Sequence, residues 1–174
     1  MDIAKQKEII ALHEEAHALV NEYQIKRYAA LEIHTPKLLD LAVSEFITYI
    51  KKQGFTVSGD RQGDLKADSG DGLIITLNRK PHILSVHMPN MEYYSIMVEC
   101  TLEPPEKLNI STILSQDSQI SEYLEIIKKT KRQIIEVDNT NYRYSLYKEP
   151  HDGNYGKNIK TFRRFSEILE IMFS

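Results

Sequence analysis

Residues Leu73–Leu102 read LIITLNRKPHILSVHMPNMEYYSIMVECTL, and the fold turns on this stretch. Three runs within it, Leu73–Asn78, Ile83–Met88 and Tyr93–Leu102, are rich in Ile, Val, Leu and Tyr. Arg79-Lys80-Pro81 and Pro89-Asn90 separate them as credible hairpin connections. In the last run Tyr94, Ile96, Val98 and Cys100 alternate with Tyr93, Ser95, Met97 and Glu99. Successive side chains of a strand point to opposite faces, so one face is expected to be buried and the other mixed.

Working outward, Phe55–Ser58 reads as a short strand. Gly59 to Gly72 reads as a polar loop with a poor strand near Asp64–Ala67. Upstream, Met1 to Gly54 is helical in pattern. A first helix from Asp2 toward Ile33 contains no Gly or Pro. At ~30 residues it would be about 45 Å long. Thr35 is then placed as the N-cap of a second helix with Pro36 at its first position. Leu38, Leu39, Ala42, Phe46, Tyr49 and Ile50 share one side of that helix, and Gly54 stops it.

Beyond Pro104-Pro105, Leu108–Leu114 fits no single template. A helix from Asp117 to Val137 is expected to turn Ile120, Leu124, Ile127, Ile134 and Ile135 inward. A strand at Tyr142–Tyr147, a loop from Glu149 to Asn158 and a C-terminal helix follow, with Phe162, Phe165, Ile168, Leu169 and Met172 inward. The expected fold is α+β in one domain, 1–174. It comprises an N-terminal helical hairpin (1–54), a mainly antiparallel sheet of four or five strands (55–103) and a helix–strand–helix region (104–174) that supplies two C-terminal helices.

The 174 residues carry a net charge of −3, with 41% hydrophobic and 27% charged residues, an ordinary soluble composition. That balance excludes nonspecific DNA binding through overall charge and the extreme acidity of a nucleic-acid mimic, though not nucleic-acid binding as such. Cys100 is the single cysteine, so an intrachain disulfide or Cys-rich zinc site is excluded. The expected compartment is the cytoplasm: the N-terminal residues do not read as a signal or transit peptide, and no run is long enough for a bilayer.

His13-Glu14-Glu15-Ala16-His17 fits H-E-x-x-H. On a helix, His13 and His17 share a face and could hold one metal, with Glu14 activating its water. In these residues the chain resembles the zincin metallopeptidases, which implies a zinc hydrolase. The longer form of that motif fails, because Val20 and Tyr23 stand at the Gly and third His positions. Glu22, Glu32 and Glu45 lack a supporting motif as third ligand. The same segment carries an amphipathic stripe of Ile9, Leu12, Ala16, Leu19 and Tyr23, with both histidines toward its polar flank.

Asp64, Asp68 and Asp71 fall in a Gly-rich loop without the EF-hand pattern, so they read as turn residues. Gly153-Asn154-Tyr155-Gly156-Lys157-Asn158 lacks the first Gly and the Ser/Thr of a phosphate loop; His151 and Asn158 stand there. Lys128-Lys129-Thr130-Lys131-Arg132 is a basic helical run. The order helix, strands, helix, strand, helix is similar to the PD-(D/E)xK nuclease core. Asp71 could be its acid, but no Glu-x-Lys follows; Glu99-Cys100-Thr101 lacks the Lys.

With no complete catalytic set, no metal site and no cofactor motif, the expected function is a non-enzymatic protein-interaction module. Small phage or mobile-element proteins that bind and block a host factor are of this type. A homodimer is expected through Ile9, Leu12, Ala16, Leu19 and Tyr23, and a protein partner at Tyr142, Arg143, Tyr144 and Tyr147. The alternative is a metal-dependent enzyme, either a divergent nuclease by topology or a zinc hydrolase at the H-E-x-x-H segment.

Overall fold

A computed structural model describes residues 1–90, 92–149 and 157–174, with residues 157–159 described by their backbone alone. The elements in chain order are α1 (Ile3–Lys52), β1 (Thr56–Gly59), β2 (Asp64–Asp68), β3 (Ile74–Arg79), β4 (Ile83–His87) and β5 (Tyr93–Cys100). After these come α2 (Gln116–Glu136), a 3-10 turn (Val137–Asn139), β6 (Tyr142–Glu149), β7 (Lys157–Phe162) and α3 (Phe165–Met172). The chain divides into two compact units: a helical unit of 1–32 with 102–141, and a sheet unit of 33–101 with 142–174. The three consecutive stretches read from the sequence cut across both units.

In the sheet unit seven strands lie in sequence order, each antiparallel to the next. Alternation sends Leu65, Ala67, Ile75, Leu77, Leu84, Val86, Tyr94, Ile96, Tyr144, Leu146 and Phe162 to one face. There they pack with Leu39, Ala42, Val43, Phe46 and Ile50 of α1 and with Phe165, Ile168, Leu169 and Met172 of α3. Fully burying one such large side chain stabilises the fold by ~1.5–3 kcal/mol. The helix α1 stops where the sequence says it should. Gly54, at φ 90°, lets its own N–H reach Lys51 O and the Phe55 N–H reach Ile50 O, the paired bonds of a Schellman end.

In the helical unit the first part of α1 runs parallel to α2. Asp2 bonds Gln116, Lys5 pairs with Asp117, His13 meets Tyr123 and Glu15 pairs with Lys131. Ser115 caps α2 by accepting from the Ser118 N–H. Ile9, Ala16, Tyr123 and Ile127 form a buried apolar cluster, flanked by Leu12, Leu19, Ile120, Ile126 and, from the segment before α2, Leu108 and Ile110; Val20, Tyr23 and Val137 are buried as well. The centre is partly polar. Thr130 and Gln133 are buried, the Thr130 Oγ1 and Gln133 Oε1 atoms lack partners, and Tyr23 Oη donates to Glu103 O at 2.7 Å.

The α+β class and the antiparallel sheet agree with the sequence reading, while several parts differ. In place of a helical hairpin, α1 is one helix through Pro36. A proline inside a helix removes a single bond, here the one its N–H would give Glu32 O, and its φ remains helical. Arg79 also holds the far side of the break, donating to Pro36 O at 3.3 Å and pairing with Asp40. Thr35 is buried inside this helix and does not cap a second one. The sheet has seven strands because Asp64–Asp68 is a full strand and Lys157–Phe162 forms one where a loop and helix start were expected. Leu124 and Ile135, expected inward, are 50% and 73% exposed because the buried side of α2 is set by Tyr123, Ile127, Thr130 and Gln133. Of the two C-terminal helices expected behind the sheet, α3 alone belongs to the sheet unit.

Candidate functional site

Both helical segments of the sheet unit pack on one face of the sheet, and neither covers the other face. On that second face the register lines up Asp64, Asn78, Ser85, Ser95 and Tyr147 from β2 to β6. The adjacent line is Thr76, His87, Tyr93 and Glu149. On the other side Met97 stands opposite Ser145, and Glu99 opposite Arg143. Central strands usually carry β-branched or aromatic residues, which pack well on a pleated surface. Here the three serines leave a shallow floor, and longer neighbours lie over it.

Ser85, Ser95 and Ser145 are only 4%, 7% and 0% exposed. Ser95 Oγ donates to Glu149 Oε1 at 2.5 Å, which draws the glutamate across the floor. Tyr147 Oη donates to Glu99 Oε1 at 2.9 Å. Tyr147 and Glu99 lie four register positions apart, so the phenol spans the Met97–Ser145 pair. The Ser145 hydroxyl faces that of Tyr147, yet it finds no hydrogen-bond partner of good geometry. Burial, together with the bond to Glu99, holds the Tyr147 phenol above its ordinary pKa. His87 and Tyr93 meet edge to face at 4.1 Å, and Asn78 Nδ2 donates to Asp64 Oδ1 at 2.7 Å. The resulting surface holds hydroxyls, carboxylates, one guanidinium and two phenols, suited to hydrogen-bonded recognition.

The residues expected to meet a partner are divided by alternation. Arg143 and Tyr147 lie on this face. Tyr144 turns to the core, donates to Leu38 O at 2.9 Å and has its pKa pushed up to about 12, chiefly by burial. Tyr142 meets His34 with ring centroids 4.8 Å apart and the planes tilted by 32°. The stripe Ile9, Leu12, Ala16, Leu19 and Tyr23 lies in the helical unit. Four of its members pack against α2 and the preceding segment, and Tyr23 is wholly buried, so the stripe is occupied within the chain.

The two histidines of H-E-x-x-H do not converge on a common point. His13 Nδ1 lies 3.1 Å from Tyr123 Oη, and His17 Nδ1 lies 3.3 Å from Asn21 Nδ2. Among the described residues no three His, Cys, Asp or Glu side chains are grouped to hold a metal ion. Asp68 accepts from the Gly70 N–H and Asp71 pairs with Ser69, both turn bonds, while Asp64 belongs to β2. In the basic run, Lys129 pairs with Glu103 and Glu106, Lys131 with Glu15, and Arg132 with Glu136. His151 and Gly153–Gly156 of the phosphate-loop comparison lie outside the described residues, and nothing is carried from them.

Ser85, Glu149 and His87 are not singled out by the sequence, whereas alternation in Tyr142–Tyr147 already sets Ser145 on one face with Arg143 and Tyr147. The same alternation in β5 sets Ser95, Met97 and Glu99 on the mixed face, and extending it to β4 and to the end of β6 finds the rest. No family model, curated protein or solved structure matches this chain. No helix among the described residues is long and apolar enough to cross a membrane.

Proposed function

We propose that this chain is a non-enzymatic protein-interaction module whose recognition surface is the face of the sheet opposite α3 and the second part of α1. The observation that carries the reading is the set of paired donors and acceptors on that face: Asn78 with Asp64, Ser95 with Glu149 and Tyr147 with Glu99. A partner's polar groups can exchange with these bonds. Tyr and Arg, favoured at interface centres, are both on the face. Such a module acts by occupying a partner's surface, as a blocker of a host factor would. A reducing, cytoplasmic setting suits its single unpaired Cys100. We take the acting form to be a monomer, since the stripe first read as a dimer interface is covered within the chain.

The test replaces Tyr147 or Met97 with a benzophenone photocrosslinker and irradiates the protein in extract of its native cells. The expected result is a protein adduct from these two positions and none from the same group at Lys51. Equal labelling from all three positions would remove the face from consideration.

A further inference from the structure

We infer that the segment docking on the polar face of the sheet, opposite α3, is basic: an extended stretch of a protein partner presenting two or three Lys or Arg side chains. This rests on the reading of that face as the recognition surface. Three carboxylates, Asp64, Glu99 and Glu149, are spread over it, and each is held by a neutral donor: Asn78, Tyr147 and Ser95 respectively. None of the three is in an ion pair with a described residue, although ion pairs are frequent elsewhere in the described residues. The cations of the face do not balance them. Lys66 is paired with Asp68 at 3.5 Å, which leaves Arg143 at the Glu99 end.

A charged donor makes a stronger bond to a carboxylate than a neutral hydroxyl or amide does. A guanidinium or ammonium group therefore exchanges favourably with Tyr147 at Glu99 or with Ser95 at Glu149. Once Tyr147 is displaced, the Ser145 oxygen is available to accept a further N–H. The rings of Tyr93, Tyr147 and His87 offer apolar surface to the stems of such side chains, and the two tyrosines add cation–π attraction. Asp64 on β2 is three strands from Glu99 on β5 and four from Glu149 on β6, with offsets of four and two register positions in opposite directions, so the separation is ~20 Å in each case. An extended segment of about six residues reaches from Asp64 to either of the other two.

The experiment measures fluorescence anisotropy of a labelled Arg-Gly-Arg-Gly-Arg peptide at low salt. One variant combines Asp64→Asn, Glu99→Gln and Glu149→Gln, which keeps shape and hydrogen bonding while removing charge. A control combines Glu8→Gln, Glu122→Gln and Glu125→Gln, removing equal charge from the helical unit. The inference expects at least about a tenfold loss of affinity in the first and less than about threefold in the second. Arg143→Glu should tighten binding, a gain that unfolding cannot imitate. Equal losses in the two triple variants, no tightening by Arg143→Glu, or stronger binding of a single-stranded oligonucleotide than of the peptide would overturn it. If the photocrosslinker at Tyr147 captures a protein that the face variant retains at full affinity, the charge assignment fails and the face stands. If both crosslinking positions are silent, the underlying reading fails.

Discussion

The two units of this chain are held together by different means. Twenty buried apolar residues form the core of the sheet unit, drawn from its strands, the second part of α1, and α3. The helical unit buries seven, of which Ile9, Ala16, Tyr123 and Ile127 form its one apolar cluster, and it adds Thr130 and Gln133, which carry buried atoms without partners. Ion pairs such as Lys129 with Glu103 and Glu106 join its elements at the surface, and exposed pairs of this kind contribute little each. A sheet with a helical layer on one side can keep that face wholly apolar and its other face polar. Two helices and a connecting segment have no second layer, so polar groups are drawn into their only seam.

That contrast breaks first under truncation. Phe46→Ala in the sheet unit should cost about 3–5 kcal/mol, and Leu169→Ala about 2–5 kcal/mol, in urea unfolding. Ile127→Ala in the helical unit should cost nearer 2 kcal/mol, because a thin seam loses fewer contacts and can settle around the gap. Amide exchange assigns each loss to its unit: faster exchange in β3–β5 for Phe46→Ala, and in α2 for Ile127→Ala. Equal costs at Phe46 and Ile127 would erase the distinction between the two cores.

Pro36→Ala sharpens the comparison where α1 passes from one unit to the other. It restores an N–H for Glu32 O, the last residue of the helical unit's share of α1. A gain of about 1–3 kcal/mol is expected, with slower exchange at residues 33–37. An unchanged or lowered midpoint would mean that Arg79 and its neighbours already compensate the break.

Thr130→Val tests the polar seam itself. The shapes match and the change removes a buried hydroxyl with no partner, so a gain of about 1 kcal/mol is expected from thermal unfolding. Destabilisation would show that the hydroxyl has a hydrogen bond, most simply to an internal water.

The smallest effect is pH dependence at the edge of β5. Lys148, then Tyr94 and Asn90, bond the Glu92 carboxylate and lower its pKa to about 2. The folded state therefore favours the charged form. This stabilisation is complete above the ordinary glutamate range and is lost as pH falls toward about 2. The gap in Tm between wild type and Glu92→Gln should be present at neutral pH and close on acidification. A gap that holds constant down to acid would detach this contact from the charge of Glu92.

Much of the sheet unit was legible in the residues. The alternation in Tyr93–Leu102 placed Tyr94 and Ile96 inside and Ser95, Met97 and Glu99 outside, and the side of α1 from Leu39 to Ile50 was read correctly. Period and apolarity are local properties, and they fix which side of an element is buried whatever it packs against. Asp64–Asp68 was harder to read because its strand alternates around one Leu and one Ala, with charged residues between. The site was half visible, since Arg143 and Tyr147 were chosen together with Tyr142 and Tyr144, which point the other way.

Local patterning thus determined by itself that the chain is α+β, that its central segment is an antiparallel meander, and that β5 has one apolar and one mixed face. Only the tertiary structure decided that α1 continues through Pro36, because Arg79, 43 residues away in sequence, holds the carbonyl of that proline. It alone decided that the stripe from Ile9 to Tyr23 packs within its own chain, since the covering residues follow an eighty-residue interval that holds the rest of α1 and five strands. It likewise brought Ser85, Ser95, Ser145 and Tyr147 together. Hydrogen-bond register between strands joins residues by their place in the ladder, and a single sequence carries no trace of that pairing until the strands meet.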